Sequence, residues 1–105
     1  MAHDPFDVRL TRQAEKDIRD LRPWADRILR ALQSLKQDPG RGHALRGSLA
    51  GVRSLEFSLP GGAHRAIYVV LEDEHVCLVF LVGAHEGIYE RAERRAQALR
   101  HQGTV

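Results

Sequence analysis

The chain has 105 residues, 43% of them hydrophobic and 29% charged, with a formal charge of +2. That length fits one domain with one core, and that composition excludes a disordered chain. The lone cysteine, Cys77, excludes an intrachain disulfide and multi-cysteine metal motifs. No apolar run is long enough to span a membrane, and the opening residues lack the apolar stretch of a secretory signal, so a cytoplasmic protein is expected.

Phe6 to Leu10 alternates apolar and charged residues and predicts a short strand. Thr11 is placed to cap a helix whose apolar stripe is Ala14, Ile18 and Leu21. Pro23 breaks the pattern and suits the first turn of a second helix. That helix carries Trp24, Ile28, Leu32 and Leu35, and Asp38-Pro39-Gly40 ends it. The apolar period then shortens to two. Leu55, Phe57 and Leu59 alternate with Ser54, Glu56 and Ser58 in a half-buried strand. Pro60-Gly61-Gly62 turns the chain into a strand from His64 to Leu71, and Glu72 to Glu74 turns it again. Val76 to Val82 is apolar throughout, as in a central strand covered on both faces. Gly83 to Gly87 is a loop. Ile88, Ala92, Ala96 and Leu99 then mark a final helix. The expected fold is α+β: a strand, an N-terminal helical hairpin, a three-stranded antiparallel meander and a C-terminal helix. One sheet face packs on the hairpin. The other is left for a partner or stands open as a groove.

Fourteen of the sixteen basic residues are arginine, whose planar fork suits phosphate. His43, His64, His75, His85 and His101 show no i,i+3 or i,i+4 pairing, and no glycine-rich phosphate loop is present. No metal and no cofactor are therefore expected. Cys77, inside an apolar run, reads as a small buried hydrophobe. Three residues draw together at one sheet end: Arg65 in a strand, His85 in the loop after the central strand, and Tyr89 at the start of the last helix. A metal-free ribonuclease needs such groups: a base for the 2′-OH, an acid for the 5′-oxygen and a cation for the phosphate. A surface arginine, a loop histidine and a tyrosine packed on the sheet fit the same pattern.

The segments Val8-Arg9-Leu10-Thr11, Ala14-Glu15-Lys16-Asp17-Ile18, Leu45-Arg46-Gly47, His64-Arg65-Ala66-Ile67-Tyr68 and Val82 to Tyr89 occur in an order and spacing that carry a resemblance. The chain resembles the RelE/ParE superfamily of type II toxins, and most closely its RelE-like branch, from Val8 to about Leu99. The resemblance implies a microbial-RNase-like α+β domain. It also implies a cognate antitoxin as partner and cleavage of mRNA on the ribosome without a metal. Arg65 falls where the family holds the scissile phosphate. His85 falls where some relatives have a catalytic histidine, and Tyr89 where relatives have a stacking or catalytic aromatic residue. The second strand departs from RelE: Ser54, Glu56 and Ser58 replace its outward basic residues, with only Arg53 nearby. The general base is then Glu56, or His43 ahead of Leu45-Arg46, or missing. Arg53, Arg46, Arg91 and Arg95, with Arg94, Arg100, Arg27 and Arg30, are the candidate RNA-binding residues; a solvated helix face has the same look. Two other functions stay open: a ParE-like toxin that poisons DNA gyrase, and an inactive member that retains only antitoxin binding.

Overall fold

A computed structural model of the protein describes residues 4 to 103. Strand β1 (Asp7–Leu10) runs through Thr11 into helix α1 (Arg12–Asp20). Thr11 stays extended, and its hydroxyl accepts the Ala14 amide at 3.1 Å. Such a cap is worth about 1 kcal/mol. Helix α2 (Ala25–Gln33) runs on into a 3₁₀ turn at Ser34–Lys36, which buries Leu35 in the same cluster as Ile28 and Leu32. Pro23 lies ahead of the cap residue Trp24, outside the helix rather than in its first turn. With its φ fixed and no N–H to give, it serves the turn between the helices.

Strands β3 (Val52–Leu59), β4 (Gly62–Leu71) and β5 (Val76–Ala84) form the expected antiparallel meander. A two-residue strand β2 (His43–Ala44), not anticipated from sequence, pairs with Ser54 and Arg53. β1 pairs parallel to β5, which gives the sheet order β1-β5-β4-β3-β2. β2 stops after two residues, so among the described residues β3 from Leu55 to Leu59 is an open edge.

β5 holds one extra residue. Ile67 pairs with Leu81 and Tyr68 with Val79, so Phe80 has no partner on β4. This bulge puts Phe80 and Leu81 on one sheet face, while Val79 and Val82 lie on the other. The face of Val79 and Val82 packs on Ala14, Ile18, Ile28 and Leu32 of the hairpin. By sequence the opposite face is left for a partner or as an open groove. It is instead covered by helix α3 (Ile88–His101), which sets Ile88, Ala92 and Ala96 against Ile67, Phe80 and Leu81. Gly83 permits the close approach, since a Cβ there would lie 3.0 Å from Arg91 Nη1 and 3.7 Å from Ile88 Cδ1. Cys77 is fully buried, and burial pushes its thiol up to about 11. It is the small hydrophobe the sequence suggests.

Tyr68 holds the loop that leads into β2. Its hydroxyl donates to Pro39 O at 2.7 Å and accepts the Gly42 amide at 3.0 Å. A Cβ on Gly42 would come within 2.7 Å of Ser54 O, so only glycine fits under the ring. Burial raises the phenol above its ordinary pKa, against the opposing pull of the Gly42 amide and Arg53. Tyr68→Phe is expected to lose roughly 1–3 kcal/mol in urea unfolding, because Gly42 N–H and Pro39 C=O lose their partner. The raised pKa means that the native state keeps its proton longer than the unfolded chain. Wild-type stability should therefore fall as pH climbs past about 10, and Tyr68→Phe should lack that share of the fall.

Candidate active site

The strand register sets Glu56, Arg65 and Gly83 abreast across β3, β4 and β5. Arg65 alternates with Ile67 and Val69 and so lies on the α3 face. The Phe80 bulge reverses the alternation of β5, which brings Gly83 and, two residues on, His85 to the same face. The His85 amide donates to Ala63 O at 3.1 Å and fixes the strand exit. Gly87 takes φ 67°, a left-handed conformation that suits glycine, and opens α3 so that Tyr89 falls in its first turn.

Arg65 touches all three of the other groups. Its Nε donates to His85 Nδ1 at 3.0 Å. Its Nη2 lies 3.7 Å from Glu56 Oε1. Its guanidinium carbon sits 5.7 Å from the centre of the Tyr89 ring. The arginine side chain is 14% exposed and the Glu56 side chain 50% exposed. A fixed cation is thus held between a solvent-reachable carboxylate and an exposed imidazole. In this hydrogen bond Nδ1 is the acceptor, which leaves Nε2 as the ring nitrogen that faces away from Arg65 with a proton to give.

The other candidates lie elsewhere. Arg53 is on the hairpin face, and its guanidinium donates to Gly40 O at 2.8 Å and to Gly42 O at 2.7 Å. It has the parity of Leu55 and Phe57, so it points away from Glu56. Arg95 is bound in an ion pair: Nη1 lies 2.6 Å from Asp17 Oδ2, and Nη2 donates to Oδ1 at 3.1 Å. Arg91 Nη2 stands 3.7 Å from Asp17 Oδ1. Arg46 is exposed ahead of a 3₁₀ turn at Gly47–Leu49, with no hydrogen bond or ion pair to the four-residue group among the described residues. His43 is exposed and pairs across from Ser54, with no hydrogen bond to the group among the described residues. Among the described residues, no cluster of histidine, cysteine and carboxylates could hold a metal ion. No helix among them is long and apolar enough to cross a membrane.

Asp17 was not singled out from sequence. It is buried, it accepts the Val82 amide at 2.9 Å, and Arg95 Nη1 also donates to Phe80 O at 2.9 Å. β1 ends at Leu10, opposite Val79, so β5 beyond that point has lost its neighbour on this side. Asp17 and Arg95 supply the missing acceptor and donor. The available signal was an acidic residue at helical spacing from Ala14 and Leu21, within an otherwise apolar stripe.

The family model described as the ParE toxin of the type II toxin–antitoxin system parDE matches residues 8–89. The chain belongs to this toxin family. Arg65, His85 and Tyr89 all fall within the matched stretch of the toxin. Its fold is shared with the RelE toxins. The RelBE2 toxin–antitoxin complex of Mycobacterium tuberculosis matches with a TM-score of 0.66 at 24% identity, over 77% of this chain and 99% of that one. A substituted Escherichia coli toxin RelE in the free state matches with a TM-score of 0.69 at 21% identity, over 90% and 98% of the two chains. The intact E. coli RelBE complex matches with a TM-score of 0.61 at 18% identity, over 77% and 98%. Among curated proteins no match is found.

Proposed function

We propose that this toxin is an endoribonuclease that cuts mRNA on the ribosome. The observation that carries the proposal is the single arginine in contact with a carboxylate, an imidazole and an aromatic ring. A scissile phosphate would draw the donors of Arg65 to itself. That exchange frees Nδ1 of His85, which takes a proton from solvent. Glu56 then accepts the proton of the 2′-OH, and O2′ attacks phosphorus. The bond from phosphorus to O5′ breaks, and the His85 imidazolium gives its Nε2 proton to O5′. The products are a 2′,3′-cyclic phosphate and a 5′-hydroxyl. Arg65 stabilises the charge that grows on the phosphoryl oxygens, and the Tyr89 ring offers a face on which a base can stack. A cognate antitoxin is the proposed protein partner, since the solved M. tuberculosis and E. coli complexes pair toxin with antitoxin.

Primer extension on a defined mRNA, with and without translating ribosomes, tests this directly. Cuts at a fixed place within codons, only with ribosomes, are the expected result. His85→Ala and Glu56→Gln are each expected to slow cleavage by about 100- to 10,000-fold. Both residues are exposed, so the thermal midpoint should not move.

A second reading is gyrase poisoning. It is favoured by the parDE family match and by the Ser54, Glu56 and Ser58 side of β3, which carries no basic residue. Absence of cuts together with inhibited gyrase supercoiling would establish it and overturn the first.

A further inference from the structure

We propose that the groove between α2 and β3 binds the backbone phosphates of the single-stranded RNA that flanks the cleaved phosphate. The groove is open, about 370 Å³ in volume, and lined by Arg27, Arg30, Arg41, Glu56 and Phe57 among others. Arg27 and Arg30 are three residues apart on α2 and so share a helix face. Arg41 comes from the loop ahead of β2. None of the three guanidiniums has an ion-pair partner among the described residues. The contrast with α3 decides between the two basic surfaces. Arg91, Arg94 and Arg95 line a groove of about 280 Å³, but Asp17 lies 3.7 Å from Arg91 and 2.6 Å from Arg95 and neutralises much of that charge.

Two further features fit a strand of RNA rather than a bare anion. Phe57 is half-buried in the groove, and its ring stacks with His64 at 6.2 Å between centroids. Arg27 lies over the Trp24 ring at 5.8 Å. Guanidiniums interleaved with ring faces suit single strands, whose phosphates and bases both need partners. The groove also joins the active site. Glu56 lines it and also faces Arg65 at 3.7 Å. Among the described residues no strand pairs with β3 on the outer side of Leu55 to Leu59, so none bars the way from Arg65 over Glu56 to the three arginines.

The inference rests on the proposal that the toxin acts on RNA, and its test does not depend on cleavage. The probe is a single-stranded 2′-O-methyl RNA, which has no 2′-OH to react. Its affinity for the full chain is measured by fluorescence anisotropy over a range of salt concentrations. The variant R27Q/R30Q/R41Q should bind more weakly, with a slope of log K against log salt shallower by about 2, from about 0.7 per lost phosphate contact. Arg12→Gln, on α1 away from the groove, should keep the wild-type slope. Melting curves confirm that the exposed substitutions leave the fold intact. An unchanged slope in the triple variant overturns the inference, as does failure of the wild type to bind the oligonucleotide at low salt. An unchanged slope with lost co-sedimentation on ribosomes assigns the groove to structured ribosomal RNA and also overturns it. A protein that binds with the predicted slope yet cuts no RNA keeps the groove and sinks the nuclease proposal.

Discussion

Arg95→Met is expected to remove roughly 3–5 kcal/mol of folding stability, a large share of the 5–15 kcal/mol typical of such a domain. The side chain is 19% exposed and its partner Asp17 9% exposed, so neither charge has ready access to water. Truncation leaves the Asp17 carboxylate buried with only the Val82 amide at 2.9 Å and Arg91 at 3.7 Å. Phe80 O also loses its donor. The cost is mainly that of the stranded charge, not the net worth of the pair. Asp17→Asn strands the Arg95 guanidinium instead, but that side chain is the more exposed of the two and keeps Phe80 O, and the amide retains an acceptor, so this variant should be milder than Arg95→Met. Urea unfolding of both single variants and the double variant gives the coupling energy. A loss below about 1 kcal/mol for Arg95→Met would mean that the pair is solvated like a surface bridge.

Arg65→Ala is expected to cut the rate of ribosome-dependent cleavage by at least about 100- to 1,000-fold, the usual effect of removing a preorganised donor from a growing anion. It removes three contacts at once: the hydrogen bond to His85, the ion pair with Glu56 and the stack on Tyr89. Arg65→Lys restores the charge without the planar fork, so it should recover only part of the rate. Wild-type cleavage by Arg65→Ala would remove Arg65 from the reaction and with it the proposed site.

Local pattern made most of the fold legible. The stripes of α1, α2 and α3 and the alternation of β3 each depend on neighbours a few residues away. Arg65, His85 and Tyr89 were legible as a group because a strand, its exit loop and the next helix start must meet at one sheet end. What sequence did not show depended on count or on distance. β2 has two residues, too few for any period. The Phe80 bulge lies in a run apolar on both faces, where alternation carries no signal. Arg95 looked like a nucleic-acid contact because its partner is 78 residues away in sequence. Arg53 was tied to a strand register that its parity with Leu55 and Phe57 resolves once β4 and β2 are paired to it.

The extra residue in β5 has a consequence for how site and scaffold relate. In a regular strand, His85 would emerge toward the helical hairpin, on the side away from Arg65. The bulge shifts the phase of everything after Phe80, relative to a regular strand of the same sequence, and leaves everything before it in place. The hydrophobic content of β5 is indifferent to that shift, since both of its faces are covered. Core and chemistry are thus specified by different properties of the same strand. Apolar composition holds the sheet together, and the bulge at Phe80 decides which side receives the histidine.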